Sequence, residues 1–306
     1  MFHRFHKSDK IPTSQGSINE IEFDLILQNV GIENILSPDE WLKKIKSGTL
    51  KSNHLCVTFD DGLKSQYEVA LPILDKYDLK AFWFVFSSVF HGQVDNNEVF
   101  NIFITSFFDS FEDFFYEFVK VSLVSNEVFE SADFLTFYKS MNSIFPFYSE
   151  EDIKFRFLRN YFFSESVYTE IMNKIIIFKG VEITDLSRNV WMNNDDLAQL
   201  DYEGHNIGLH SYSHPFLISK LSIEDQKTEY SLNNEHINSI TNKSVSAMSH
   251  PLNSYSIDTI SILEELGVYC GFRSNMVVDQ KSELLGASDL EIPREDSSNL
   301  KAMLKL

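Results

Sequence analysis

The chain has 306 residues and a mass of 35.5 kDa, with 43% hydrophobic and 23% charged side chains. This length accommodates one large α/β domain or two small ones, and the composition excludes a disordered or fibrous chain. The 45 acidic residues outnumber the 26 basic ones, and the formal net charge of -19 disfavours binding to nucleic acid or to an anionic membrane surface.

The cysteines and the apolar runs bear on the cellular compartment. Cys56 and Cys270 are too few for a disulfide framework or a thiolate metal cluster, and each lies in an apolar run that is typical of a buried thiol. No stretch of about 18 apolar residues predicts a membrane span. The first ten residues lack the apolar core of a signal peptide. We therefore expect a soluble, cytoplasmic protein.

Residues 1–91 alternate strand-like and helix-like segments. Ser37, Pro38 and Glu40 combine a capping box with a proline in the first turn and predict the start of a helix. Three further segments follow: a buried strand at 55–59, a helix at 66–78 and a buried strand at 81–86. Strand, helix and strand at this spacing predict a parallel βαβ unit.

The composition changes between residues 92 and 190, where 18 of the 28 phenylalanines occur. Several of them follow helical spacing and alternate with acidic residues: Phe103, Phe107, Phe111, Phe114 and Phe118. Such a stripe is more typical of a helical core than of a cofactor site. We therefore interpret 92–190 as a Phe-rich, mainly helical insertion. Its aromatic residues could instead form an interface for a protein partner or cover an acyl-chain groove.

The alternation of strands and helices resumes after residue 190. The predicted elements are a helix at 193–200, a strand at 206–209, a helix at 223–240, a strand at 245–249, a helix at 257–266 and a strand at 268–272. The sequence contains neither an internal repeat nor a low-complexity linker. We expect a single domain over 1–306 that carries the insertion within it.

Two carboxylates follow the first buried strand. Asp60 and Asp61 belong to the segment TFDDG at 58–62, at the end of a strand where parallel α/β sheets and barrels place their active sites. Two adjacent carboxylates repel each other unless a cation or a proton intervenes. Taken alone, however, Asp-Gly is equally typical of an ordinary turn.

Two histidines follow a later strand. His210 and His214 are four residues apart, and Pro215 favours a compact loop over a continuing helix. Such a pair can place two imidazoles on one cation, although most such pairs are structural or incidental. One aspartate and two histidines with an open position form a common catalytic metal set, which would leave the second aspartate free to act as a base.

Together these motifs resemble those of the NodB-type polysaccharide deacetylases, carbohydrate esterase family 4. The segment 58–62 is similar to the first motif of the family, and 210–214 (HSYSH) is similar to the second, H-[ST]-x-x-H. The flanking segments agree, and the opening MFHRF is similar to the M-Y-H-R start of many bacterial members. The resemblance covers about 1–90 and 190–296 and leaves the Phe-rich insertion outside it.

The resemblance implies an α/β fold, a distorted (β/α) barrel of the polysaccharide deacetylase type, and hydrolysis of an N-acetyl group on a sugar or oligosaccharide. It implies that Asp61, His210 and His214 bind one divalent metal ion, with zinc favoured and iron, cobalt, nickel or manganese compatible with the same ligands. Asp60 would be the general base for a water that attacks the acetamide, and the metal and a backbone N–H would stabilise the oxyanion. Ser211 would orient the histidine loop through its hydroxyl.

The later motifs depart from the family pattern. Where the family often has R-x-P-Y-G, residues 249–253 read SHPLN, so Ser249 stands in place of the arginine that steadies the base. Arg294 is a candidate substitute because its surroundings resemble a later family motif, although a surface ion pair is an equal alternative. The histidine that protonates the leaving amine is also missing, since no histidine follows His250. Either His250 or His3 could serve as that acid.

The sequence thus favours a metal-dependent N-deacetylase that acts on a precursor of a surface glycan. Two alternatives stay open. The missing arginine and histidine could mark a non-catalytic protein that binds glycan or a partner enzyme. The same metal chemistry could also hydrolyse a formamide or another linear amide on a small molecule.

Overall fold

The computed structural model describes residues 1–7, 11–14, 16–144, 148–276 and 288–306. The chain divides into two compact units. The first comprises Met1–Val94 and Asn189–Leu306, and the second comprises Asp95–Arg188, which lies within the predicted insertion 92–190.

Five parallel strands form the sheet of the first unit, in the order β1-β2-β3-β4-β5. Their bounds are β1 Thr58–Asp60, β2 Phe82–Val85, β3 Asn206–Leu209, β4 Ala247–Ser249 and β5 Cys270–Phe272. Each strand lies within a segment predicted to be extended, apart from the last residue of β1. The strands are almost entirely buried, as continuous apolar runs predict for a parallel sheet that is covered on both faces.

Isolated backbone pairs continue the sheet at both edges. Phe2 pairs in parallel with β1, and Ile292 pairs in parallel with β5. Met1 joins these outer segments, because its backbone nitrogen donates to the carbonyl of Glu295 (2.8 Å) and its carbonyl accepts from the N–H of Ser297 (3.1 Å). Backbone contacts therefore run from β5 back to β1 and curl the sheet into the predicted distorted barrel.

The helices of the described chain have the following bounds: α1 Glu20–Val30, α2 Pro38–Lys46, α3 Leu71–Lys76, α4 Asn96–Phe107, α5 Phe111–Ser122, α6 Ala132–Ile144, α7 Glu150–Phe157, α8 Glu165–Phe178, α9 Ile183–Ser187, α10 Asn194–Tyr202, α11 Ile223–Thr241, α12 Ile257–Glu265 and α13 Ser297–Leu304. Shorter 3₁₀ turns lie at Ile32–Asn34, Ser88–His91, Asn126–Glu130, Ile218–Lys220 and Pro251–Asn253. Within the described ranges, none of the helices combines the length and the apolarity that a membrane crossing requires.

Local signals account for where the helices begin and change. α2 begins as predicted, with Ser37 and Glu40 forming a reciprocal capping box. The predicted helix 66–78 is instead a π-helical turn, Gln66–Ala70, followed by α3. Pro72 explains the change, because it has no N–H with which to continue the α-helical hydrogen bonds.

The second unit is helical, as the phenylalanine pattern predicted. Phe114 and Phe118 of α5 are fully buried, and both rings meet Phe155 edge-on at centroid distances of 5.2 and 5.1 Å. The stripe is divided between two helices, because α4 ends at Phe107 and Ser110 caps α5. These contacts account for the stripe as a helical core, and a protein interface on this unit stays a prediction.

The strands of the first unit face two buried clusters. Trp83 and Val85 of β2 join the larger cluster, where Trp83 stacks on Phe59 at 4.2 Å, whereas Phe82 and Phe84 join a smaller cluster with helix α2. The predicted burial of both thiols is correct for Cys270, whereas Cys56 is only half-buried.

A close approach between strands generates a test of this packing. A Cβ atom at Gly208 of β3 would lie 2.6 Å from the ring of Phe84 and 2.7 Å from the carbonyl oxygen of Ala247. Gly208→Ala should therefore lower the free energy of unfolding by about 1–3 kcal/mol through overpacking, as measured by chemical denaturation. Ser52→Ala, in an exposed turn, is the control and should stay within about 0.5 kcal/mol of the parent. Equal stability of the two variants would contradict the packing argument.

Candidate active site

The predicted site residues lie at one edge of the sheet, where the parallel strands end. Asp60 is the last residue of β1, and Asp61 follows it. His210 follows β3 and His250 follows β4. Arg294 lies two residues beyond the segment that pairs with β5. The fold thus gathers side chains from four separate parts of the chain at this edge.

Asp61, His210 and His214 form a compact group of possible metal ligands. Oδ1 of Asp61 lies 3.4 Å from Nε2 of His210 and 3.6 Å from Nε2 of His214. Ligand atoms bound tetrahedrally at about 2.0–2.1 Å lie about 3.3–3.4 Å from one another. The two distances to Asp61 are close to this spacing, and the ligand atoms of all three residues lie within 4.8 Å of one another, so the group could hold a single small cation.

Hydrogen bonding at Nδ1 of His210 leaves Nε2 as the nitrogen that faces the ligand group. Nδ1 of His210 lies 2.9 Å from the carbonyl oxygen of Ser249, and because a carbonyl only accepts, Nδ1 carries the proton. In the neutral ring the lone pair of Nε2 faces Asp61, an arrangement that is typical of histidine ligands.

The ionisation of this group also suits a divalent cation. Burial lowers the pKa of His214 to about 4, so this imidazole is neutral at pH 7. Burial alone would raise the pKa of Asp61, but the hydrogen bond from His210 and the nearby His3 and His214 hold that pKa well below its usual range. Burial alone would lower the pKa of His210, but Asp61 and Asp60 outweigh it and raise that pKa. A divalent cation would replace the proton that these carboxylates favour on His210.

The backbone of the ligand loops adopts unusual conformations. Asp61, Ser211 and His214 have φ values of 76°, 65° and 54°, in the left-handed region that non-glycine residues rarely occupy. The hydroxyl of Ser211 accepts a hydrogen bond from the N–H of His214 at 3.1 Å, which is the contact that the predicted orienting role requires. Such conformations persist only where the surrounding structure holds them.

A second group, Asp75, Glu203 and His205, has similar spacing but unsuitable hydrogen bonding. Nδ1 of His205 accepts from the N–H of Ala81 at 3.0 Å, so in the neutral ring Nε2 must carry the proton. Burial lowers the pKa of His205 to about 4, which keeps the ring neutral at pH 7. A protonated Nε2 has no lone pair for a metal, so the group around Asp61 is the better metal site.

Asp60 is held in a buried network of hydrogen bonds. Arg294 donates to both carboxylate oxygens, from Nη1 to Oδ1 at 2.7 Å and from Nη2 to Oδ2 at 2.6 Å, and Ser249 donates to Oδ2 at 3.0 Å. Arg294 also donates to Thr58 and to the carbonyl of Arg273. With only 5% of Arg294 exposed, the alternative of a surface ion pair is wrong.

This network sets the charge of Asp60. Burial alone would raise the pKa of Asp60, but the charge and hydrogen bonds of Arg294 outweigh burial and hold that pKa well below its usual range. Asp60 is therefore a fixed carboxylate anion, and Arg294 steadies it as the missing family arginine would.

The two candidate acids lie in different environments. Nε2 of His3 lies 3.8 Å from Oδ2 of Asp60, and about a third of the His3 side chain is exposed (32%). His250 is 1% exposed, lies 2.8 Å through Nε2 from the carbonyl of Leu290, and stacks on Tyr255 at 4.1 Å. Burial lowers the pKa of His250 to about 3. The geometry gives His250 no support as a proton donor, and its predicted role stays untested.

Two residues of α11 that support the site were missed in the sequence. Asn233 accepts from the N–H of His210 at 2.9 Å, and Glu229 accepts from the N–H groups of Tyr212 and Ser213 at 2.9 and 2.8 Å. A signal exists, because polar residues recur at helical spacing along the packed side of α11: Gln226, Glu229, Asn233 and His236. A polar stripe of this kind is ordinarily interpreted as a solvent-facing side.

Known proteins share both the sequence motifs and the fold. The family profile described as polysaccharide deacetylase matches residues 47–100 and 184–271, which contain both Asp60 and Asp61 and both metal-site histidines. A comparison with curated proteins found no match.

Three solved structures have the same fold at low sequence identity. The chain is similar to the Streptococcus pyogenes deacetylase PplD in complex with acetate, with 17% identity, a TM-score of 0.54 and coverage of 99% of this chain and 95% of that one. It is similar to a de-N-acetylase from Aggregatibacter actinomycetemcomitans, with 14% identity, a TM-score of 0.54 and coverage of 96% and 92%. It is also similar to IcaB from Ammonifex degensii, with 14% identity, a TM-score of 0.51 and coverage of 96% and 88%.

The matched family segments and the shared barrel agree with the motifs identified in the sequence. These findings confirm the resemblance to the NodB-type polysaccharide deacetylases that the motifs indicated.

Proposed function

We propose that the protein is a metal-dependent hydrolase that removes an N-acetyl group from a sugar, and that its substrate is a precursor of a surface glycan. The juxtaposition of the group Asp61, His210 and His214 with the fixed carboxylate of Asp60 carries this proposal. The resemblance to the polysaccharide deacetylases supports an acetylated sugar as the substrate class.

The ligand group supports a metal ion with an open coordination position. When bound there, a divalent metal ion lowers the pKa of a coordinated water to about 7 and polarises a carbonyl oxygen. We propose zinc, because one carboxylate and two imidazoles with an open position are typical of catalytic zinc sites, although iron, cobalt, nickel and manganese suit the same ligands.

Asp60 is the general base of the proposed reaction. An ionised carboxylate offers about four acceptor sites, and the contacts from Arg294 and Ser249 use three of them. One site on Oδ1 stays available for a proton from the attacking water. Arg294 positions the carboxylate and keeps it ionised.

His3 is the proposed acid that protonates the leaving amine. An amide nitrogen leaves as an amine only after it receives a proton. His3 lies beside Asp60 and is partly exposed, so it can reach both a substrate and the solvent. His250 satisfies neither condition, because it is buried and held against Leu290.

The cytoplasmic location expected from the sequence is also a proposal. Localisation of the tagged full chain by cell fractionation tests it, and recovery outside the cytoplasmic fraction would contradict it.

Two substitutions should separate metal binding from base catalysis. Asp60→Asn should retain about one metal ion per chain, as measured by elemental analysis, but lower the rate of acetate release from an N-acetylated sugar by about 100-fold or more. His214→Ala should lose both metal and activity. The control is Asp201→Asn, which removes a carboxylate from the surface ion pair with Lys243 and should change neither measurement.

The outcomes distinguish the alternatives. Full activity in Asp60→Asn would contradict the base assignment. Metal binding by the parent without acetate release would favour the hypothesis of a non-catalytic protein that binds glycan or a partner enzyme. Formate release from an N-formyl sugar in preference to acetate release would favour the hypothesis of a hydrolase of formamides or other linear amides.

The choice of acid generates a further prediction. His3→Ala should lower the rate of acetate release by about 100-fold with metal content unchanged, because the amine would then leave without a proton donor. His250→Ala should keep the rate within a few-fold of the parent, provided that turnover is normalised to the folded fraction measured by circular dichroism. The reverse pattern would assign the acid to His250.

A further inference from the structure

Glu229 holds the loop that carries the second metal-site histidine. Its Oε2 accepts from the backbone N–H groups of Tyr212 and Ser213 at 2.9 and 2.8 Å, and its Oε1 accepts from the hydroxyl of Ser213 at 2.6 Å. Charge-assisted hydrogen bonds of this kind are about twice as strong as neutral ones. A single carboxylate therefore fixes two successive peptide units of the loop.

The loop needs such an anchor, because its backbone is strained on both sides of these peptides. Ser211 and His214 both occupy the left-handed region, with φ values of 65° and 54°, and neither is a glycine or an asparagine that adopts it readily. Without an external restraint, the loop would relax towards more favourable backbone angles, and the ring of His214 would move with it.

The start of the loop is anchored separately. The N–H of His210 donates to Oδ1 of Asn233 at 2.9 Å, and the amide nitrogen of Asn233 donates to the carbonyl of Val85 and to the hydroxyl of Ser87. Asn233 therefore fixes His210 relative to β2 and β3. The position of His214 relative to Asp61 then depends on the rest of the loop, which Glu229 holds together with the N–H of Ser88, a donor to the Tyr212 carbonyl at 2.8 Å, and the hydroxyl of Ser211.

We propose that Glu229 is a positioning residue that preorganises His214 for metal binding, an inference that rests on the metal site of the proposed function. Its two oxygens are occupied by three donors from the loop, so Glu229 acts on the metal only through the loop. Without Glu229, part of the free energy of metal binding would be used to order the strained loop, and the affinity for the metal would fall.

The test compares zinc affinities in the absence of any sugar. Glu229→Ala should weaken zinc binding by about 10- to 100-fold, the usual effect of removing a residue that supports a metal ligand, as measured by competition with a chromogenic chelator. The matched control is Glu235→Ala, which removes an exposed carboxylate from the same helix and should leave the dissociation constant unchanged. The thermal midpoint of metal-free Glu229→Ala should equal that of the control.

Conservative variants separate positioning from charge and from folding. In Glu229→Gln, the side-chain oxygen can accept from both backbone N–H groups and the amide nitrogen can donate to Ser213, so zinc binding should stay within about threefold of the parent. The side chain in Glu229→Asp is one methylene shorter and cannot reach both peptides, so this substitution should weaken zinc binding. It replaces Glu229→Ala as the test variant if the alanine variant does not fold.

Three results would overturn the inference: a zinc affinity of Glu229→Ala equal to that of the control, a glutamine variant as weak as the alanine variant, or a parent chain that binds no zinc. The readout is independent of turnover. A parent chain that binds zinc but releases no acetate would contradict the proposed function and leave the comparison of affinities valid.

Discussion

The buried ion pair between Arg294 and Asp60 is the interaction on which the site and the barrel both depend. Its two residues are 234 positions apart, and they join the end of β1 to the segment beyond β5. The transfer of two charges out of water costs several kcal/mol for each ion. Here two parallel hydrogen bonds and further contacts to Ser249 and Thr58 offset that cost. One contact therefore joins the two ends of the ring of strands and keeps the buried carboxylate of Asp60 ionised.

The pair also explains how two neighbouring carboxylates coexist. Asp60 and Asp61 would repel each other if they shared one environment. The left-handed backbone at Asp61 instead directs its carboxylate to the imidazoles of His210 and His214, while Asp60 faces the guanidinium of Arg294. Asp60 therefore lies beside a positive charge, and Asp61 lies at a group that could hold a cation. The two acids can then have separate roles, Asp61 as a metal ligand and Asp60 as a base.

The loop after β3 is also held by contacts from a distant part of the chain. Its two histidines are short-range neighbours, but their geometry comes from α11, which supplies Asn233 at the first histidine and Glu229 at the centre of the loop. Because α11 packs on β3, its side chains hold the strained loop in a fixed position relative to the sheet. The site is thus preorganised by hydrogen bonds to backbone groups, which do not themselves take part in the proposed chemistry.

The sequence by itself determined the local features of this protein: the buried strands, the capping box at Ser37, the helical core of the second unit and the motifs that contain Asp61 and His214. These features follow from periodicity and short-range chemistry, which neighbouring residues carry. Only the tertiary structure decided that Arg294 binds Asp60, that His3 rather than His250 lies beside Asp60, and that Glu229 holds the histidine loop. Those contacts join residues far apart in the chain, and a polar residue in a sequence looks the same whether it faces water or a buried partner.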